Sequence, residues 1–316
     1  METDAGTPGG VFARLTLRFC TRPFRIQHGP HDMVSQTQTL LADVERRILA
    51  LCDCPDGILQ SAVEHHLHSG GSRIRARLAL DASQALDLPI RDAVAIATAC
   101  ELLHNASLIH DDLQDRDTER RGQAALWARF GPDVAICAGD LLLSAAYAAL
   151  ATLGETAAPI IAHMHTRVAI TIHGQSEDLD CAKLDTLSLA EYEAIAAGKS
   201  GPLLSLPIEL ALRLAGAPDQ VSTALRAINN FALGYQMLDD IADADADAVA
   251  GEVNAVTIMS VAGAADPERA VRDRALTHLD RAAEIAQSLP ATIPDIVSGY
   301  IDGLLHRAGV REELPA

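Results

Sequence analysis

Two aspartate clusters of one pattern dominate the chain, Asp111-Asp112-Leu113-Gln114-Asp115 and Asp239-Asp240-Ile241-Ala242-Asp243. Each follows an apolar helical stretch and sets its first and last carboxylates four residues apart. In an α-helix that spacing stacks Asp111 on Asp115, and Asp239 on Asp243, along one face. Like charges so placed repel, and a helix that needed only to be stable would avoid them. A hard divalent cation reverses the sign, because Mg2+ takes carboxylate oxygens and keeps waters or phosphate oxygens as its other ligands. Two such clusters facing each other would hold several Mg2+ ions around a diphosphate.

The elements that must position these clusters read as helices almost without interruption from Val34 onward. Leu40, Leu41, Val44, Ile48 and Leu51 recur at helical spacing, and Cys54-Pro55-Asp56-Gly57 ends that run. Ala93 to Ile109 and Asp133 to Leu153 are long, apolar and free of breakers. Further stretches run over 159–172, 189–197, 202–214, 221–238 and 267–289. No alternating β-branched run appears, and no Asn-Gly or Asp-Gly hairpin turn. The fold class expected is all-α, a single bundle of about ten core helices, several apolar all round and therefore buried inside it.

Composition narrows the function. A formal charge of −18, from 25 basic and 43 acidic residues, would repel nucleic acid over most of the surface. It also means that a phosphorylated substrate needs metal ions or placed cations. Only Lys183 and Lys199 are lysines; every other basic residue apart from histidine is arginine. No apolar run approaches the roughly 18 residues of a membrane span. The six cysteines form no Cys-x-x-Cys pair, and Cys52-Asp53-Cys54 alone cannot make a tetrahedral zinc site, so free thiols of a cytoplasmic protein are expected. His65, His66 and His68, like His163 and His165, lack the spacing of a helical metal pair and read as surface or core residues. Residues 1–32 read as an N-terminal extension and 33–316 as the folded domain; Phe12 to Ile26 carries four arginines and no acid.

Around the first cluster the chain reads His110-Asp111-Asp112-Leu113-Gln114-Asp115-Arg116-Asp117, then Arg120-Arg121-Gly122 and, downstream, Gly139-Asp140. Here it resembles the trans-isoprenyl diphosphate synthases, the polyprenyl synthetase family, over nearly its whole length. Further matches follow in the family's order. These are Gly70-Gly71-Ser72-Arg73-Ile74-Arg75, Gly174-Gln175-Ser176-Glu177-Asp178-Leu179, Lys199-Ser200, and Gly234-Tyr235-Gln236-Met237-Leu238-Asp239-Asp240. The resemblance implies an isoprenoid synthase bundle around a deep cavity, a homodimer, and three Mg2+ ions held by Asp111, Asp112, Asp115, Asp239, Asp240 and Asp243. It implies an allylic prenyl diphosphate and isopentenyl diphosphate as substrates.

The chemistry gives each match a role. An allylic substrate loses diphosphate to leave an allylic cation, and Mg2+ clamped by both clusters stabilises the charge that develops on the leaving group. Arg120 and Lys199 would add fixed cations and Gln236 a neutral donor, with Ser200, Gln175 and Asp178 beside them. The Gly198 to Pro202 segment around Lys199 suggests a helix break lining a pocket. By resemblance Arg75, His104 and Arg121 hold isopentenyl diphosphate. His104 lies two turns before Asp111 and faces the same way, although a lone histidine on an apolar helix is ordinarily a satisfied core residue. Ala106 and Ser107, one turn before Asp111, are small where bulky aromatics would close the chain pocket, so the expected product is geranylgeranyl diphosphate or longer.

Two positions depart from the family. Its Gly-Gly-Lys lysine is Ser72 here, with Arg73 or Arg77 as possible substitutes, and the lysine after its second cluster appears as Gly251-Glu252. A lost charged contact to diphosphate costs about 1.5–3 kcal/mol. Two other readings therefore stand beside elongation. One is a terpene cyclase or head-to-head condensing enzyme that ionises the same substrate without isopentenyl diphosphate. The cyclase form fits poorly with 3% aromatic residues, because aromatic faces cage carbocations. The other is a non-catalytic partner subunit, which would ordinarily have lost one aspartate motif.

Overall fold

The computed structural model describes residues 31–180, 187–250 and 252–310. The basic N-terminal stretch, Cys20, Cys181, Lys183 and Gly251 lie outside them, and Asp178 is described in its backbone only. The described chain is all-α. Its ten long helices are α1 His31–Leu51, α2 Ile58–His68, α3 Ile74–Ala85, α4 Ile90–Asp115, α6 Pro132–Ala151, α7 Ala157–Asp180, α8 Leu189–Leu214, α9 Val221–Ala250, α11 Pro267–Ala286 and α12 Ile293–Arg307. Two short ones, α5 Leu126–Phe130 and α10 Ala255–Val261, complete the set.

Two apolar half-cores build the bundle. One gathers α1, α2, α4, α6 and α7, and the other gathers α9 to α12. Helices α3 and α8 belong to both: on α8, Leu203, Leu206 and Leu210 enter the first while Leu204, Ile208 and Ala211 enter the second. A helix buried on two faces must be apolar nearly all round, as its sequence is. Helix α6 is long and apolar enough to cross a membrane by composition, but it packs back along α4 with Leu142, Ala146 and Leu150 buried.

Three features differ from the sequence expectation. Helix α8 runs unbroken through Gly198–Pro202, with Pro202 and Pro207 inside it, so Lys199 lies on a continuous helix rather than at a break. An interior proline costs about 3 kcal/mol, and burial against both half-cores outweighs it. Helix α9 extends twelve residues past Leu238, which places the second aspartate cluster in mid-helix, whereas the first ends α4. Third, Glu119–Arg120 and Gln123–Ala124 pair as a small antiparallel hairpin. Its two turn residues, Arg121 at φ 56° and Gly122 at φ 74°, both adopt the left-handed conformation that tight hairpins need. An Arg-Gly pair is a weaker signal for that turn than Asn-Gly, which is why patterning missed it.

Candidate active site

Helix α4 delivers the first cluster at its C-terminal end, where Arg116 turns left-handed (φ 63°) and stops it. Trp127 of α5 pins the exit by donating its Nε1–H to the Asp117 carbonyl at 2.7 Å, with Arg116 stacked 5.5 Å from its ring. The hairpin then aims its arginines apart. Arg120 returns to Asp112, donating Nε–H to Oδ1 at 2.8 Å and also Nη2–H, while Arg121 donates to the Gly70 carbonyl. Burial lowers the Arg120 pKa and the Asp112 bond more than restores it, so the net shift is upward.

A cavity of about 490 Å3 opens beside the cluster. Seven of the residues singled out in the sequence line it: Arg75, His104, Ser107, Asp111, Gln175, Lys199 and Ser200. Its walls combine polar groups, Asp140, His110 and Gln114 among them, with the apolar side chains of Leu108, Leu143, Ile172 and Leu203. Gln175 donates to Gln114 Oε1 at 3.1 Å and so ties α7 to the first cluster. Gly139 lets α6 approach that wall, because a Cβ there would strike the His110 ring. Ala106 does not face the cavity; it is packed in the first half-core.

Burial pushes the Asp111 carboxyl up to about 6; the Lys199 ammonium opposes that shift and Asp115 reinforces it. Arg75 is 2% exposed, and burial brings it down to about 10, with Glu101 as its main opposing charge. Burial and the neighbouring arginines drive His104 well below 6.5 and His66 to about 3. Both imidazoles are therefore neutral at physiological pH, and the cationic character beside His104 on the cavity wall belongs to Arg75. For His66 the folded pKa lies below the unfolded one, so the stability carried by its neutral ring is complete above about pH 6.5 and is lost as pH falls toward 3. In a histidine-labelled NMR titration the His66 resonances should stay flat from pH 8 to 5; a midpoint near 6.5 would contradict this burial.

The second cluster sits across α8. Asp240 is held by three protein donors: Tyr192 Oη–H and the Ala255 amide to Oδ2, and Gln236 Nε2–H to Oδ1, each at 2.8 Å. Burial raises it to about 6 against those bonds. Asn254 closes the corner by donating to the Asp240 carbonyl and to Asp247, while its own Oδ1 caps α10. Asp239 is half-buried and Asp243 exposed. The middle carboxylate of each cluster is thus fastened to protein, Asp112 by Arg120 and Asp240 by Tyr192 and its neighbours. Tyr192, Asn254 and Glu101 were not found from sequence. The usable signal was that Tyr192 precedes Lys199 by seven residues, two turns on one face of α8.

Among the described residues no three carboxylate, imidazole or thiol groups stand close enough to enclose a metal by themselves. A donor set of spaced aspartates fits Mg2+, which completes its shell with water and phosphate oxygens, and fits poorly with zinc, which wants four close ligands. Arg73 and Arg77, beside Ser72, both have protein partners in this structure. Arg73 bonds the Gly70 and Leu67 carbonyls and lies 3.6 Å from Glu101, and Arg77 bonds the Ser72 carbonyl.

The polyprenyl synthetase family model matches residues 56–254, and the chain belongs to that family. A geranylgeranyl diphosphate synthase of Methanosarcina mazei is 32% identical over 206 residues, 64% of each chain. A (2E,6E)-farnesyl diphosphate synthase of Mycobacterium tuberculosis is 34% identical over 224 residues, 67% of this chain and 60% of that one. The matches thus span less than two thirds of these relatives' own length. In fold, the chain is similar to a decaprenyl diphosphate synthase from Rhodobacter capsulatus (TM-score 0.78, 21% identity, 90% of this chain and 100% of that one). It is equally similar to the geranylgeranyl pyrophosphate synthetase from Geoglobus acetivorans (TM-score 0.77, 22% identity, 87% and 99%).

Proposed function

We propose that the protein is a Mg2+-dependent prenyltransferase that elongates an allylic diphosphate with isopentenyl diphosphate, giving geranylgeranyl diphosphate or a longer product. The observation that carries this reading is one cavity whose walls bring together Asp111, Lys199, Arg75 and a set of apolar side chains. Such a cavity suits a molecule with a diphosphate head and a hydrocarbon tail. The names of the relatives weigh the same way.

Asp111 and Asp115 on one side and Asp239 and Asp243 on the other would hold the metal, with Asp112 and Asp240 as the anchors that orient them. Bound there, Mg2+ would supply Lewis-acid stabilisation to the departing diphosphate. Lys199 meets the same charge from α8, a buried cation placed before the charge develops. Arg75 and Arg121, with neutral His104 as a hydrogen-bond partner, receive the second diphosphate. The apolar side chains of the cavity shield the allylic cation from water until the isopentenyl double bond attacks, and the proton lost afterwards passes to diphosphate.

The test is incubation of purified protein and Mg2+ with farnesyl diphosphate, with and without isopentenyl diphosphate, followed by mass analysis. Longer diphosphates that require isopentenyl diphosphate are expected. Hydrocarbons formed without it would establish the cyclase or condensing reading, which the absence of the family lysine at Ser72 favours, and no turnover would leave the partner-subunit reading. We also propose a homodimer, supported by exposed apolar residues on neighbouring helices, Ile136 of α6 (48% exposed) and Ile172 of α7 (61%). Four free thiols, Cys52, Cys54, Cys100 and Cys137, suit the reducing cytoplasm.

Chain length divides Ala106 from Ser107. Ser107→Phe puts an aromatic ring into the cavity and should shorten the product while leaving the fold intact. Ala106→Phe forces a ring into a packed core and should cost about 1–3 kcal/mol of stability instead. Thermal melts and product ladders of the two variants separate these outcomes; an unshortened product from Ser107→Phe would remove Ser107 from the chain path.

A further inference from the structure

Helix α8 is gripped from two sides at consecutive residues. Successive side chains on a helix point about 100° apart, so Tyr192 faces α9 while Glu193 faces α11. Tyr192 donates Oη–H to Asp240 of the second cluster at 2.8 Å. Arg274 of α11 takes Glu193 in a fork, Nε–H to Oε1 at 2.6 Å and Nη2–H to Oε2 at 2.8 Å. One turn further along α11, His278 brings Nε2 to 3.2 Å from the same Oε1 and Nδ1 to 3.0 Å from Asn230 Oδ1 on α9. Asn230 in turn donates to the Arg226 carbonyl at 2.8 Å. Glu193 and His278 are largely buried, and Arg274 is half-exposed. The Arg274 bonds, with His278, outweigh burial and hold the Glu193 carboxyl below the ordinary carboxylate range.

Stability alone gives this network little reason to exist, because partly exposed ion pairs add little to it. Position is what a fork fixes, since two parallel bonds set the placement of both partners. Gly234 lets α11 approach α9, where a Cβ would strike Leu279 and the Ala275 carbonyl, and Gly201 lets α8 approach Asn229 of α9. Such contacts set how near the helices lie but not how far they slide, and the Glu193 network stops the slide. Lys199 lies six residues beyond Glu193 on α8, about 9 Å along the axis, so a shift of that helix moves the cavity lysine and the Tyr192–Asp240 bond together. We propose that Glu193 is a positioning residue for the second aspartate cluster, held by Arg274 and His278 at the height where Tyr192 meets Asp240. The inference rests on the elongation reading above, in which that cluster holds Mg2+ against the allylic diphosphate, and it adds the side chains that set its place. Loosening the network weakens metal and allylic diphosphate together, and leaves isopentenyl diphosphate, whose arginine Arg75 stands on α3, untouched.

Glu193→Gln keeps the shape and removes the charge. It should raise the Mg2+ half-saturation concentration and the KM for farnesyl diphosphate about five- to tenfold, the scale of one lost hydrogen bond. The KM for isopentenyl diphosphate and the melting temperature of the metal-free protein should stay close to wild type. Arg274→Met breaks the same fork from α11 and should show the same split; it serves if the glutamine variant does not fold. Tyr192→Phe should move the same two constants, and adding Glu193→Gln to it should do little more, because both act through one bond. The gain in melting temperature on adding Mg2+ with inorganic diphosphate gives a readout independent of turnover, and it should be smaller in Glu193→Gln than in wild type at the same concentrations. Unchanged Mg2+ and allylic constants in folded variants overturn the inference, as do losses that fall equally on isopentenyl diphosphate or add fully to those of Tyr192→Phe. Failure of the elongation reading would appear separately, as wild-type protein that never consumes isopentenyl diphosphate. The melting gain then still decides, and an equal gain in wild type and Glu193→Gln overturns the role of Glu193.

Discussion

Asp111→Asn is expected to lower kcat by at least about a hundredfold, the scale on which loss of one fixed electrostatic partner slows charge-separating chemistry, while the protein stays folded. The substitution keeps shape and removes the charge that would hold a divalent cation. Burial already holds the Asp111 carboxyl up at about 6, above its ordinary range. For an acid raised in this way, stability falls as pH rises through the window between the unfolded and folded values. Its ionised form at neutral pH is therefore a cost to the metal-free fold, and asparagine removes that cost. The variant should melt no lower than wild type, and higher without Mg2+. Activity lost together with stability held or gained is the signature of a residue kept for chemistry, and the same pair of measurements applies to Asp239→Asn. Near-wild-type turnover in either variant would remove that cluster from the active site.

The parts of this site legible in the sequence were those encoded by local spacing. Helical periodicity gave the all-α class, and the first aspartate cluster, the seven-residue step from His104 to Asp111 and the scarcity of lysine pointed to Asp111, His104 and Lys199, which the fold places around one cavity. What stayed hidden was encoded between distant segments. Tyr192 bonds Asp240 across 48 residues and Asn254 reaches Asp240 across 14, and no local pattern announces either. The Arg121-Gly122 turn was missed because its left-handed conformation is imposed by the contacts of Arg120 and Arg121 rather than by the preferred turn residues. The expected break at Lys199 is absent because the local propensity of proline and glycine is not what decides there. On a helix shared by two cores, tertiary burial decides.

Glu209→Ala is expected to lower the free energy of unfolding by about 3–5 kcal/mol, the usual cost of removing one member of a buried ionic set. Glu209 is fully buried on α8. It accepts from Ser205 Oγ at 2.5 Å, and on α7 it meets His163 Nε2 at 2.6 Å and Arg167 Nε–H at 2.7 Å. Burial pushes its pKa up, but these hydrogen bonds and the Arg167 charge outweigh that and hold it below the ordinary carboxylate range. Alanine leaves Arg167 and His163 at a largely buried interface without their acceptor, and urea melts should show the loss as a shift in midpoint. The combined variant Glu209→Leu, Arg167→Met, His163→Leu tests why the charges are there. Replacing a whole buried ionic set by apolar groups is often neutral or stabilising, so this variant should recover most of the lost stability. It would also free α7 to slide on α8, because an apolar interface fixes register less sharply than one set of charged partners. Helix α7 carries Thr171, Ile172 and Gln175 to the cavity and α8 carries Lys199. A slide would therefore appear as a raised KM for the allylic substrate in a protein as stable as wild type, whereas recovered stability with an unchanged KM would mean that apolar packing alone sets the register between the two helices.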